Sequence, residues 1–256
     1  MRRVTTLTPT VFSSSCHILR EDAELADAIP AERRQEAIEL CTVREVRLPT
    51  GEGISESSPL TDGLGILVLS GLLIRRVGID GRFGAEMLGE GDLLRPWQWE
   101  TDSPTLTLEM RWTIVEPTRL ALLDGGFSER CIGKYPELAS PLVGRAMQRA
   151  RNLAVNMAIV HQARVDVRIH MLLWHLAGRW GRVRSEGTVL RMRLTHSVLA
   201  DLVAARRPTV TSAISELVRA GLVQTSGDEW VLFGAPPTEL ADELAGRASR
   251  SVTPKS

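Results

Sequence analysis

Residues 194–234 of this chain read LTHSVLADLVAARRPTVTSAISELVRAGLVQTSGDEWVLFG, and this stretch decides the fold of the C-terminal half. Thr195 is a favourable N-cap residue, and the apolar residues that follow it recur at helical spacing. Ala204 and Ala205 form a turn that is short enough to hold two helices at a steep angle. A second helix then opens at Arg206. The stretch therefore predicts a helix-turn-helix.

The second helix has a continuous apolar face and is followed by a hairpin. Gly221 is predicted to end the helix, because glycine is common just past a helix C-terminus. Two short apolar segments, 222–223 and 230–232, flank a turn at 226–229, which predicts a hairpin wing. The residues predicted to form the buried face of the helix are Val210, Ala213, Ile214, Leu217 and Val218.

Polar residues at the start of the second helix point to nucleic acid. Two arginines and two threonines, Arg206, Arg207, Thr209 and Thr211, cluster where base edges would lie in a helix-turn-helix bound to DNA. The apolar positions alone also fit a helical hairpin that has no role in DNA binding. The polar cluster favours a winged helix-turn-helix that reads DNA.

The same stretch resembles the DNA-binding domain of the Crp/Fnr family of bacterial transcription regulators. The family segment has the form T-x-x-x-[LI]-A-x-[LI]-V-[GA]-x-x-R-x-[TS]-V. It is matched here by Thr195, Leu199, Ala200, Leu202, Val203, Ala204, Arg207, Thr209 and Val210. Residues 166–181 are in addition similar to actinobacterial regulators of this family.

This resemblance implies DNA contacts for particular residues. It places Arg207 against a guanine, whose O6 and N7 atoms fit the guanidinium fork. The next family residue is often a glutamate that reads cytosine. This chain has Pro208 instead, which cannot accept a hydrogen bond from the cytosine amine, so the recognised site should differ there. Neighbouring base or phosphate contacts are expected from Arg206, Thr209, Thr211 and Ser212, and phosphate contacts from Thr195 and His196.

The charge is distributed unevenly along the chain. The 256 residues have 31 basic and 31 acidic side chains, so the formal net charge is zero. Residues 1–143 nevertheless carry a net charge of −7, residues 144–219 carry +9 and residues 220–256 carry −2. A basic block over the helix-turn-helix is what DNA binding requires, because neutralising phosphates supplies affinity for any sequence.

The N-terminal half has a different pattern of residues. Residues 17–50 are predicted to form a helix-rich opening with a helix at 31–41, and from Val43 to about Leu123 short β-type runs alternate with glycine. This spacing suits an antiparallel barrel or jelly roll. It resembles the cyclic-nucleotide-binding domain of the same family, including the segment MLGEGDL at 87–93. The predicted strands are 44–48, 64–69, 72–77, 83–88, 106–115 and 119–123.

The nucleotide-binding residues of that domain are missing. Family members that bind cyclic nucleotides continue with a glycine-glutamate-leucine run, whereas this chain continues LRPWQWE at 94–100. Leu108 and Glu109 stand where the resemblance implies an arginine followed by serine or threonine. A glutamate there would repel a cyclic phosphate. We therefore expect no binding of cyclic AMP or GMP in the usual manner.

The altered pocket offers aromatic surface and charge that suit a planar or anionic small molecule. The alternative is that Trp97 and Trp99 fill a vestigial pocket. The effector is unknown, and its candidate contacts are Arg95, Trp97, Trp99, Glu109 and Arg111.

A long helix is predicted over residues 136–164. Its apolar residues recur at spacings of three or four, which is typical of a two-stranded coiled coil. The family dimerises through this helix, so the resemblance implies a homodimer that reads a two-fold operator. Simple packing of the helix on its own barrel is the alternative. The predicted dimer seam is Leu142, Ala146, Ala150, Leu153, Met157 and Val160.

The predicted fold class is α+β: an N-terminal jelly-roll β-barrel similar to a cyclic-nucleotide-binding domain, a long dimerisation helix and a C-terminal winged helix-turn-helix. The sensor barrel is expected over residues 17–135 and the dimerisation helix over 136–164. The DNA-binding domain is expected over 165–234, and a tail over 235–256.

Other protein classes find little support. No nucleophile–base pair indicates an enzyme, and neither the five histidines nor Cys16, Cys41 and Cys131 have metal-ligand spacing, so no cofactor is expected. No apolar run is long enough for a signal peptide or a membrane span, which predicts a cytoplasmic protein. The expected partners are double-stranded DNA, a second copy and, as a candidate, RNA polymerase. The alternative function is a ligand-binding regulatory protein that acts through protein partners.

Overall fold

The computed structural model describes residues 12–52, 63–95 and 109–237. The chain divides into two compact units, Met1–Leu153 and Ala154–Ser256. Their boundary falls inside the long helix rather than at either of its ends. In the described residues, no helix combines the length and apolar character that crossing a membrane requires.

The first unit is built on one antiparallel sheet. Its strand order is β1-β2-β7-β4-β5, with β3 paired to β7 and β6 paired to β4. The predicted jelly-roll fold class is confirmed by this arrangement and by the likeness to solved structures reported below. The strands are β1 (Phe12–His17), β2 (Thr42–Leu48), β3 (Gly51–Glu52), β4 (Gly65–Ile79), β5 (Arg82–Gly89), β6 (Leu93–Leu94) and β7 (Glu109–Leu123).

Two pairs of predicted strands are in fact single long strands. β4 runs through Gly71 and β7 runs through Pro117, two residues at which the sequence predicts breaks. The register between β4 and β7 shifts at this place, so the two residues sit together in an irregular stretch of the ladder. Gly71 has a φ of +90°, and a Cβ atom there would lie 2.3 Å from the carbonyl oxygen of Pro117. The bulge therefore explains both residues without ending either strand.

Short helices cover the sheet and complete the core of the first unit. These are α1 (Ile18–Glu21), α2 (Ala23–Asp27), α3 (Ala31–Leu40) and α4 (Gly125–Phe127), which continues into a π-helical turn at Ser128–Ile132. A 3₁₀ turn follows at Pro136–Leu138. The predicted helix at 31–41 is confirmed within one residue. The fully buried side chains at the centre of this core include Ile18, Leu25, Phe127, Tyr135 and Leu138.

A buried carboxylate on β2 forms ion pairs within β2 and with the neighbouring strand β7. The Glu45 side chain accepts hydrogen bonds from Arg119 Nε at 2.9 Å and Nη2 at 3.2 Å, and from Arg47 Nε at 2.6 Å. Hydrogen bonding to Arg119 is the largest cause that lowers the pKa of Glu45, and hydrogen bonding to Arg47 adds to it. The pKa falls from 4.5 to about 2, although burial acts to raise it. The ionised form is therefore stabilised in the folded protein.

Replacing Glu45 by glutamine is expected to destabilise the protein by about 2–3 kcal/mol at pH 7, because the buried charge that Arg119 and Arg47 share is lost and Arg119 keeps, among the described carboxylates, only its contact with Glu21. A carboxyl whose pKa is lowered on folding stabilises the protein above its unfolded pKa and loses that effect as the pH falls. Urea denaturation of both proteins should thus show a stability difference that shrinks between about pH 5 and pH 2. A difference that does not change with pH would contradict the role of the ionised carboxylate.

One face of the long helix α5 (Ala139–Val160) carries arginines that pair with acidic residues of the first unit. Arg145 donates two hydrogen bonds to the Asp22 carboxylate, and Arg149 forms a bidentate pair with Glu86 on β5. Arg75 on β4 contacts the same Glu86. Arg145 and Arg149 thus join α5 to the start of α2 and to β5.

The second unit holds the predicted winged helix-turn-helix. Helix α6 (Val165–Trp180) ends at its C-cap residue, Gly181. The strands β8 (Arg182–Arg184), β9 (Gly187–Arg191), β10 (Val223–Ser226) and β11 (Glu229–Leu232) form one sheet in the order β10-β11-β9-β8. Helices α7 (His196–Leu202) and α8 (Arg207–Arg219) lie between β9 and β10 in the chain.

The prediction that Val218 belongs to the buried face of α8 is wrong. Val210, Ala213, Ile214 and Leu217 are buried as expected, but Val218 is 44% exposed. Residues 210, 214 and 217 already complete the inward stripe at spacings of four and three. Val218 lies at the rim of this stripe, about 100° around the helix from Leu217.

Candidate nucleic-acid interface

The turn between α7 and α8 has a defined backbone geometry. The Thr195 side chain caps α7 by accepting a hydrogen bond from the Val198 amide at 3.2 Å. At the other end, Ala204 has a φ of +51°, in the left-handed region that non-glycine residues rarely adopt. The Ala205 amide donates to the Ala200 carbonyl at 2.9 Å, so the chain reverses within two residues. This turn sets the direction in which α8 begins.

Arg168 of α6 holds that turn in place. Its Nε donates to the Gln162 carbonyl at 2.6 Å, and its Nη1 donates to the Val203 carbonyl at 3.1 Å. A cation at the C-terminus of α7 also complements the helix dipole. Sequence reasoning missed this role. The available signal was an arginine one turn into a helix that is otherwise largely apolar.

The predicted DNA-contacting residues of α8 come together on one exposed surface. Arg206 is the N-cap residue, Arg207 is the first helical residue, and Pro208 fits the first turn because its missing N–H has no intrahelical partner there. In the described part of the chain, neither arginine side chain forms an ion pair or a hydrogen bond. Their guanidinium groups are therefore available to bases and phosphates. The exposed set is Arg206, Arg207, Thr209, Thr211 and Ser212.

Several hydroxyl groups on this surface are already bonded within the protein. Thr211 Oγ1 donates to the Arg207 carbonyl at 3.1 Å, and Ser212 Oγ donates to the Pro208 carbonyl at 3.3 Å. His196 Nδ1 lies 2.9 Å from Thr211 Oγ1. The structure thus brings His196 of α7 and Thr211 of α8 together. Thr195 stands beside them with its hydroxyl oxygen engaged in the helix cap.

The wing is anchored by contacts within its own sheet. Trp230 of β11 is buried, and the Met192 amide donates to the Asp228 carbonyl at 2.9 Å. Arg191 on β9 pairs with Glu229 across the sheet at 2.7 Å. The wing tip at Ser226, Gly227 and Asp228 therefore projects from a rigid base.

The predicted ligand pocket is only partly described. Trp97, Trp99 and Leu108 lie outside the described residues, and Arg95 is exposed just past β6. Glu109 and Arg111 share a face of β7 and pair with each other at 3.1 Å. The Arg111 guanidinium also stacks 4.4 Å from the centre of the Phe83 ring. Both charged residues are therefore engaged within the sheet, and the pocket stays a prediction.

Other titratable groups have structural partners. Cys16, Cys41 and Cys131 are free and buried, and burial raises the pKa of the Cys16 thiol to about 11. Trp174 Nε1 donates to His170 Nε2 at 3.1 Å, and burial lowers the pKa of that histidine. No group of three potential metal ligands occurs in the described ranges.

Comparison with known proteins identifies the same domain. Residues 167–233 match the family described as the Crp-like helix-turn-helix domain. A curated relative, the CRP-like cAMP-activated global transcriptional regulator of Mycobacterium tuberculosis, is 26% identical over 194 residues, which is 72% of this chain and 82% of the relative. The resemblance to the Crp/Fnr family that the sequence predicts is confirmed by this match.

Solved structures share the fold. A variant of CooA from Carboxydothermus hydrogenoformans aligns with a TM-score of 0.60 at 14% identity, covering 95% of this chain and 98% of that chain. A cyclic nucleotide-binding domain containing protein from Listeria monocytogenes EGD-e aligns with a TM-score of 0.61 at 14% identity, covering 82% and 96%. At this identity the likeness concerns the fold alone.

Proposed function

From the premise that this chain is a Crp-like helix-turn-helix protein, we propose that it is a sequence-specific DNA-binding transcription regulator that acts as a homodimer. One observation carries the proposal. The start of α8 presents two arginines with no intramolecular partner in the described residues, on an exposed surface whose direction the Arg168-bonded turn fixes. Bases and phosphates are the groups that such a surface recognises.

Arg207 is the residue proposed to read sequence. A guanidinium at the first turn of a recognition helix reaches the O6 and N7 atoms of guanine in the major groove. Pro208 supplies no acceptor for the neighbouring base pair. Thr195 and His196, on the preceding helix, are proposed to contact phosphate. The net charge of +9 over residues 144–219 supplies the attraction for any duplex.

The dimer is proposed to form along α5, with a seam that differs from the predicted one. Leu142 is only 3% exposed and belongs to the core of its own unit, so it cannot be shared with a partner helix. The apolar residues that α5 exposes recur at spacings of four and three, as a two-stranded coiled coil requires. Val143, Met147 and Met157 are 57%, 64% and 63% exposed. The proposed seam is Val143, Met147, Ala150, Ala154 and Met157.

This revision keeps part of the predicted seam. Ala150 and Met157 are exposed as required, and Ala146 is exposed beside Met147. Leu153 and Val160 are half-buried and flank the exposed stripe. Small residues at 150 and 154 permit close approach of two helices at the centre of the seam.

Cyclic AMP is expected neither to bind at micromolar concentration nor to raise DNA affinity. Glu109 pairs with Arg111 and presents a carboxylate where a phosphate-binding residue is expected, and like charges repel. Titration calorimetry and a gel-shift assay with and without cyclic AMP check this. The M. tuberculosis relative, named as cAMP-activated, is the positive control. A micromolar dissociation constant or a cyclic-AMP-dependent shift would contradict the expectation.

The remaining assignments rest on the same proposal. A transcription regulator of this kind acts in the cytoplasm, with RNA polymerase as the candidate protein partner and no enzymatic step of its own. Any effector would be a small molecule other than cyclic AMP, bound by the sensor domain.

Selection from a pool of random duplexes tests the proposed function. Purified protein is incubated with the pool, bound DNA is recovered, and enriched sequences are read. We expect a two-fold symmetric site whose half-sites lie about 34 Å, or one helical turn, apart. Recovery of sequences without enrichment would contradict the proposal and favour a regulator that acts through protein partners.

A further inference from the structure

The contact between α7 and α8 joins two side chains that face the proposed DNA surface. His196 is half-exposed and its Nδ1 lies 2.9 Å from Thr211 Oγ1. Thr211 Oγ1 in turn donates to the Arg207 carbonyl at 3.1 Å. The imidazole ring, the hydroxyl and the backbone of Arg207 thus form a short hydrogen-bonded chain.

We assign the ring tautomer from this chain of hydrogen bonds. A hydroxyl has one proton, and Thr211 gives it to the Arg207 carbonyl. The oxygen is then an acceptor toward the ring, so Nδ1 of His196 is the donor. In the neutral imidazole the other nitrogen, Nε2, consequently carries a lone pair and no proton.

A DNA phosphate only accepts hydrogen bonds, so the neutral ring in this tautomer cannot bind one through Nε2. When Nε2 gains a proton, both ring nitrogens are donors and the ring is positively charged. We propose that His196 contacts a DNA phosphate only as the imidazolium ion, so that each protomer takes up one proton when it binds DNA. Thr211 is the positioning residue that fixes the tautomer. The inference rests on the proposed DNA-binding function.

Apart from His196, the charged side chains on α7, on α8 and just before them are arginines, aspartate and glutamate. Guanidinium groups and carboxylates ordinarily keep their charge between pH 6 and pH 8, whereas histidine does not. The charged side chains of α7, α8 and the segments just before them are Arg193, Asp201, Arg206, Arg207, Glu216 and Arg219.

Two measurable effects follow from a protonated contact. DNA affinity should be greater at pH 6 than at pH 8, on the order of fivefold per protomer, because the imidazolium form that makes the contact is more populated at the lower pH. The slope of log affinity against log salt concentration should be steeper at pH 6 by about 0.9 per protomer, because one more phosphate is neutralised. Both effects should appear on non-specific duplexes as well, since a phosphate contact carries no sequence information.

Three variants separate this role from general damage. His196→Gln keeps a polar side chain but has no titratable group, so its affinity should be the same at pH 6 and pH 8. Thr211→Val removes the acceptor and frees the neutral ring to present an Nε2 proton, so the pH dependence should shrink although His196 is present. Thr211→Ser retains the hydroxyl and should therefore keep the pH dependence of the parent protein, whatever its own affinity for DNA.

Fluorescence anisotropy with one duplex at both pH values and several salt concentrations provides the readout. A parent protein with equal affinity at pH 6 and pH 8, or a His196→Gln variant that keeps the parent's pH dependence, overturns this inference and leaves the proposed function standing. A protein that binds no duplex at either pH overturns the proposed function and the inference together.

Discussion

Replacing Arg207 by alanine is expected to abolish selective DNA binding while leaving the fold intact. The side chain is exposed and forms no ion pair in the described residues, so its loss should change the free energy of unfolding by no more than about 0.5 kcal/mol. The lost guanine contact should cost about 1–3 kcal/mol at each cognate base pair. In a dimer with two half-sites, the two losses together lower the affinity for the selected site by roughly tens to many thousands of times.

The comparison needs a control with the same charge change. Arg219 lies in the last turn of α8, at the opposite end from the proposed base contacts. Arg219→Ala should lower affinity slightly and equally for all duplexes, since only electrostatic attraction is lost. Dissociation constants for the selected and scrambled duplexes at one fixed salt concentration test both variants. Equal affinity of Arg207→Ala and the parent for the selected site would show that another residue reads the sequence.

Placing aspartate at both Met147 and Met157 is expected to dissociate the dimer. Both side chains are exposed in the protomer, so the substitution leaves its core intact. In the proposed seam it buries four like charges across one interface, and unpaired buried charge is strongly unfavourable. A loss of at least about 4 kcal/mol, or roughly a thousandfold in dimer affinity, follows. Binding to a two-fold site should then fall far more than binding to a half-site.

Molar mass by light scattering, measured beside binding to both DNA lengths, checks this expectation. The matched control replaces the same two methionines by leucine, which keeps an apolar seam and should preserve the dimer. If the aspartate variant remains a dimer with unchanged DNA binding, the seam lies elsewhere on the protein.

The helix-turn-helix was predictable because its signals are local. The cap at Thr195, the small turn residues at 204–205 and the apolar spacing of α8 each act within a few residues of the chain. The strand pattern of the first unit was predictable for the same reason. The continuity of β4 through Gly71 and of β7 through Pro117 was not predictable, because a bulge shared by two distant strands is a property of their pairing.

Other differences between the predicted and the observed structure also come from long-range packing. Periodicity identifies an apolar stripe on α5 but does not show which of its residues are buried within the same protomer. This is why the sequence predicts Leu142 in the dimer seam, although Leu142 belongs to the core of the first unit. Arg168 acts on carbonyl groups some 35 residues further along the chain, at a distance that no local pattern encodes. β1 begins in a serine-rich segment whose pairing with β2 has no alternating apolar signal.

The measurement that tests the central claim most directly is the ratio of affinities for the selected duplex and for a scrambled duplex of the same length and composition. Both dissociation constants are measured at one salt concentration and one pH. A sequence-specific regulator should bind the selected duplex at least about a thousandfold more tightly. A ratio near one would contradict the account, because it would mean that the basic surface of α8 attracts phosphate without reading bases.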